Sequence, residues 1–216
     1  MRVNLNSGVE GVMKYIKKIP AENEKNTKEL LKNGWKVLKE PPSLGVIIAI
    51  AMPISIILML ITLLYFGMLF PDNMDFWKSE NLSIEFTINL KTLLYIVGIW
   101  LYAFLHEVIH ALTIPNAIRS NKTFLGINGF FGFVYSEETI KKERFILVAV
   151  MPLLILSFGV PLICKILGSY HGYLLLLCII NAGGACVDIF NIMLIIKQVP
   201  PKGMLVSNGM KTFYKS

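Results

Sequence analysis

The chain has 216 residues, 55% of them hydrophobic and 16% charged, with a formal net charge of +7. A soluble domain carries about 25% charged residues, so this balance excludes an ordinary soluble globule and points to a single membrane domain. Nor does the positive charge indicate nucleic acid, because the basic residues are concentrated in loops between long apolar runs.

Residues 1–43 hold 9 of the Lys and Arg and read as a cytoplasmic basic amphipathic segment. No cleavable signal peptide is expected before the first apolar run, so that run acts as an uncleaved anchor. Within the segment, EKNTKELLKNGWKVLKE (24–40) places Leu31, Trp35 and Leu38 on one helical face among lysines. This predicts an amphipathic helix, either interfacial on the anionic inner leaflet or merely solvated, weakened at Gly34 and ended by Pro41 and Pro42.

Residues 44–70 contain no charge over 27 positions, and a spanning helix needs roughly 20. Next, LSIEFTINL (82–90) alternates apolar and polar residues, which is a strand period. The second apolar run, 92–114, is broken by HEVIH. In TFLGINGFFGFVY (123–135), Asn128-Gly129 lies between two β-prone runs and predicts a hairpin, since both residue types accept positive φ. Residues 145–167 carry one charge, Lys165, and residues 173–196 carry one acid, Asp188. Pro53, Pro152 and Pro161 should kink or break their helices locally. Residues 198–216 read as a basic cytoplasmic tail. Cys164, Cys178 and Cys186 have no metal-binding or redox spacing and read as small apolar residues.

Four spans of a mainly α, polytopic membrane protein result, forming one domain over 44–197. Lys plus Arg number 9, 2, 5, 1 and 4 in the five successive non-spanning segments. This alternation predicts a multi-pass cell-membrane protein with both termini cytoplasmic.

On a helix, residues i and i+4 share a face, so His106 and His110 can meet one metal ion with Glu107 beside it. That is the HExxH arrangement of zinc hydrolases, with two histidine ligands and a glutamate base. Chance gives about 0.002 such matches in a chain of this composition. An acid inside a span is itself a functional signal, because burying it costs roughly 2.5–3.5 kcal/mol.

Zinc hydrolases need a third ligand. His106 lies 14 residues past Thr92, and Asp188 lies 15 past Tyr173, in two spans that run the same way. At about 1.5 Å per residue the two are nearly level, whereas His171, in the loop before the fourth span, is some 20 Å away in depth. Asp188 is therefore the expected third ligand. Asn181, two turns before it, is placed either to hydrogen-bond a substrate or oxyanion or to tie two helices together. Gly183 and Gly184 permit close helix approach.

HEVIH in one span and NAGGACVD (181–188) in a later one resemble the intramembrane zinc proteases of the site-2 type. Two features differ: no proline lies between Asn181 and Asp188, and Ile189 follows the aspartate. The chain also resembles a bacterial family of zincin peptidases of unknown function. That resemblance covers NGWKVLKEPPSLG (33–45), LHEVIHAL (105–112), the glycine-rich hairpin region, FILVAVMP (145–152) and the Asp188 region. It implies Zn2+ held by His106, His110 and Asp188, with Glu107 as the catalytic base. The expected activity is hydrolysis of membrane-associated proteins near the cytoplasmic face. An inactive scaffold or chaperone that retains the metal has no need of Glu107. A metal-ion transporter needs more ligands along a path than these four groups.

Overall fold

The computed structural model describes residues 13–73, 89–128 and 131–216. The chain begins with β1 (Lys14–Ile16), α1 (Glu24–Lys32) and β2 (Lys36–Val37), then forms α2 (Leu44–Leu69) and α3 (Leu90–Thr113). A hairpin of β3 (Thr123–Asn128) and β4 (Phe131–Ser136) precedes the short β5 (Ile140–Lys141). The next helix comprises α4 (Lys142–Pro152), a π-helical stretch Leu153–Gly159 and α5 (Val160–Ile166). α6 (Gly172–Gly184) and α7 (Cys186–Gln198) follow, then a second hairpin of β6 (Met204–Asn208) and β7 (Lys211–Lys215).

Among the described residues, four helices are long and apolar enough to cross a membrane: Gly45–Leu69, Leu90–Thr113, Lys142–Ile166 and Gly172–Gln198. Their bounds lie within three residues of the four apolar runs. Ser43 and Asn89 start the first two by accepting from the amides of Val46 and Thr92. α2 and α3 leave Ile57, Leu64, Leu94 and Leu101 exposed, a surface suited to lipid rather than water.

The third span shows what its prolines do. Pro152 leads into the π-helical stretch, and Pro161 sits in the first turn of α5. Widening a helix leaves carbonyls without their usual amide partners, and hydrocarbon offers no substitute. Here side chains from the neighbouring helices supply the donors. Tyr102 donates to the Leu156 carbonyl at 2.7 Å, Tyr65 to Phe158 at 3.1 Å and Asn181 to Pro152 at 3.4 Å. The span's first residues serve its neighbours in turn. Arg144 donates to the Thr113 carbonyl at 2.6 Å, and Lys142 reaches the carbonyls of Ile196 and Val199. Cations thus meet the negative ends of α3 and α7.

Two sheets gather at that same end of the bundle. One has the order β1-β3-β4, with β1 parallel to β3; the other is antiparallel, in the order β2-β7-β6-β5. These pairings bring the chain ahead of α2, the chain between α3 and α4, and the chain after α7 to one side of the helices. Leu38, Ile195, Val199 and Leu205 form the core that fastens the second sheet to α7.

Several expectations are corrected. The helix expected over 24–40 stops at Lys32, because Gly34 takes φ 81° and Lys36 and Val37 pair with β7 instead. Leu38 is consequently in a protein core rather than facing lipid. Residues 198–216, expected as a basic tail, carry a hairpin that was not expected, β6–β7. The first hairpin is present, but Asn128 pairs with Phe131, so its connection is 129–130, outside the described residues, and not Asn128-Gly129. The strand expected over 82–90 falls on residues of which all but Asn89 and Leu90 are outside the described ones.

Candidate metal centre

His106 and His110 stand one turn apart on α3, and Asp188 is in the first turn of α7. The structure brings the three together. His106 Nε2 is 3.1 Å from His110 Nε2 and 3.2 Å from Asp188 Oδ2, and His110 Nε2 is 3.5 Å from Asp188 Oδ1. Ligand bonds of about 2.0–2.1 Å in a tetrahedral site place donor atoms about 3.3 Å apart. The observed separations bracket that value. The side chains are 12–22% exposed, enough for a water-sized approach.

The hydrogen bonds fix what these atoms present to one another. His110 Nδ1 lies 2.9 Å from the Val148 carbonyl, which can only accept, so Nδ1 carries the proton. For His106 the assignment runs through three groups. The Ser157 hydroxyl donates to the Cys178 carbonyl at 2.9 Å, so its oxygen accepts from Asn181 Nδ2 at 2.8 Å. Asn181 Oδ1 then faces His106 Nδ1 at 2.9 Å and accepts a hydrogen bond from it, so Nδ1 carries the proton. Both Nε2 atoms are left with bare lone pairs aimed at each other and at a carboxylate. Three acceptors converging without a donor repel one another unless a cation lies between them. The donor set and spacing fit a zinc ion.

Asn181 was read as either a substrate-handling group or a tie between helices. It is buried, and its polar atoms are engaged by His106, Ser157 and the Pro152 carbonyl. Glu107, the other polar group of the motif, is not one of the converging ligands. It points towards β4. Its carboxylate faces the backbone amide of Val134, and a Cβ placed on Gly132 would come within 2.6 Å of its Cγ. Only glycine leaves room there. His171 precedes α6, at the far end of the fourth span from Asp188, and takes no part.

The register shows why β4 matters. Glu137 N–H donates to the Lys122 carbonyl, so the bonded pairs towards β3 are those of odd-numbered β4 residues. The backbone groups of Gly132, Val134 and Ser136 therefore point away from β3, and among the described residues β4 is the edge of its sheet. The site lies between two cavities. One of about 220 Å3 is between α3 and α6, walled by His106, Glu107, Ala103 and Ile180. The other, about 210 Å3, opens between the sheets and has His110, Asp188 and Ser136 in its wall.

Sequence reading missed Ser157, Gly132 and the Val148 carbonyl. Ser157 had a signal, being a hydroxyl in an otherwise apolar span. The family described as "Putative zincin peptidase" matches residues 99–203, just under half of the chain, a stretch that holds all of these groups. No curated protein and no solved structure matches.

Proposed function

From this chain's match to the zincin peptidase family, which points to a metallopeptidase, we propose an intramembrane zinc protease that cuts membrane-associated proteins near the cytoplasmic face. The observation that carries the reading is the convergence of His106 Nε2, His110 Nε2 and an Asp188 carboxylate at 3.1–3.5 Å, with both imidazole protons already committed elsewhere. His106, His110 and Asp188 hold the metal. Zinc at that position supplies Lewis-acid activation of water and of the scissile carbonyl.

The chain's own residues do the rest. Glu107 takes a proton from the attacking water and returns it to the leaving amine. Asn181 and the Val148 carbonyl keep the two imidazoles in the ligating orientation. The apolar cavity between α3 and α6 receives the substrate from the bilayer and limits bulk water, which strengthens the electrostatics of the site. Helices hide their carbonyls, so the substrate must unwind, and β4, an edge strand among the described residues, presents backbone groups beside Glu107 to pair with it. The basic non-spanning segments set the sheet end on the cytoplasmic side, against anionic lipid.

Glu107→Gln tests the reading. It keeps size and removes the proton acceptor, so zinc content should hold while hydrolysis of a membrane-protein substrate falls by at least ~10²-fold. Cleavage at the wild-type rate by this variant would leave a scaffold or a transporter as the better description.

A further inference from the structure

We infer that Pro152, which touches no ligand position, is a positioning residue of the metal site, because its missing amide hydrogen makes the Val148 carbonyl available to His110. In an α-helix the carbonyl of residue i accepts from the amide of residue i+4, and 148 + 4 = 152. Residue 152 is a proline with helical φ −61° and ψ −39°, so that donor does not exist. Nor does the next amide replace it: Leu153 N–H turns to the Val150 carbonyl. Val148 is largely buried, so leaving its carbonyl unpaired would be costly. An unpaired carbonyl at this depth must find a donor in a neighbouring helix. The donor it finds is His110 Nδ1–H at 2.9 Å.

The need is mutual. An imidazole ligates through one nitrogen only when the other is held protonated by an acceptor. Among the described residues, the Val148 carbonyl is the one acceptor that faces His110 Nδ1. The same junction serves the other histidine, since the Pro152 carbonyl and Ser157 hold Asn181, which holds His106. The third span contributes no ligand, yet it sets the orientation of both imidazoles.

Pro152→Ala restores the amide and with it a competitor for the Val148 carbonyl. Alanine suits a helix, so the fold should persist. Zinc affinity, measured by competition with a chromophoric chelator, should fall about 10–100-fold, the scale of losing an outer partner of a histidine ligand. In metal-free protein, 15N spectra of His110 should lose the wild-type signature of a protonated Nδ1 and a bare Nε2. A merely structural role would not change that tautomer. Two comparisons isolate the cause. The α-hydroxy analogue of alanine at 152 has neither ring nor amide hydrogen and should restore wild-type affinity and tautomer. Pro53→Ala, on the exposed face of α2, should change neither. Wild-type affinity and tautomer in Pro152→Ala would overturn the inference, as would an α-hydroxy variant no better than Pro152→Ala. The zinc part rests on the function proposed above. Should the wild-type protein bind no zinc, that reading fails, whereas the tautomer of His110 still decides this one.

Discussion

A glycine next to a glutamate is a small feature, but at residue scale it separates the metal from the chemistry. Gly132 leaves no room for a side chain, because a Cβ there would sit 2.6 Å from Glu107 Cγ. Gly132→Ala should therefore displace the Glu107 carboxylate without touching His106, His110 or Asp188. A misplacement of about 1 Å can cost about 10²-fold in rate. Cleavage should drop by roughly that factor with zinc content unchanged, and unaltered cleavage would show that Glu107 is not held in place by β4. The convergence of His106, His110 and Asp188 was legible in the sequence, since a helix fixes the i, i+4 face and its rise fixes depth per residue. Gly132, Ser157 and the Val148 carbonyl were not. Their roles arise where β4 and the third span meet α3 and α6, and sequence periodicity reports faces rather than neighbours.

At the scale of elements, the sheets carry a pH dependence. Glu40 precedes α2 and accepts from the Thr212 hydroxyl at 2.8 Å and the Thr212 amide at 3.1 Å. Burial raises its carboxyl above the ordinary carboxylate range, more than these two bonds lower it. Between the ordinary and the raised pKa the folded protein binds more protons than the unfolded chain. Stability should therefore fall as pH rises through that window and level off above it. Glu40→Gln has no charge to bury, so its thermal unfolding should lack this slope; a slope as steep as that of the wild type would assign it to another group. Elements were legible where one pattern dominates. The four apolar runs and the first hairpin were read correctly, but EKNTKELLKNGWKVLKE was read as one helix although Gly34 divides it. The C-terminal hairpin was missed despite carrying the same signal, Asn208-Gly209, with Gly209 at φ 62°. Its β-prone flanks, MLVS and KTFY, are only four residues each, too short for a strand period to stand out.

The whole molecule has its non-spanning segments arranged asymmetrically. β2 pairs with β7, β5 with β6 and β1 with β3, which requires both ends of the described chain and the segment joining α3 to α4 to share one side. The function proposed above puts that side in the cytoplasm, on the lysine and arginine counts. Reporters fused at residue 1 and after Ser216 should both read cytoplasmic, and one near Asn81 should read outside. A C-terminal reporter outside would undo both the four-span arrangement and the depth match of His106 with Asp188. The central claim, that α3 and α7 jointly hold a zinc ion, is tested most directly by metal content. Purified protein supplied with zinc and freed of excess should contain it in equimolar amount. Asp188→Ala and His106→Ala should lose it, because two remaining ligands are too few for a cation that takes four. Glu107→Gln should retain it. Equimolar zinc in Asp188→Ala, or none in the wild type, would contradict the account.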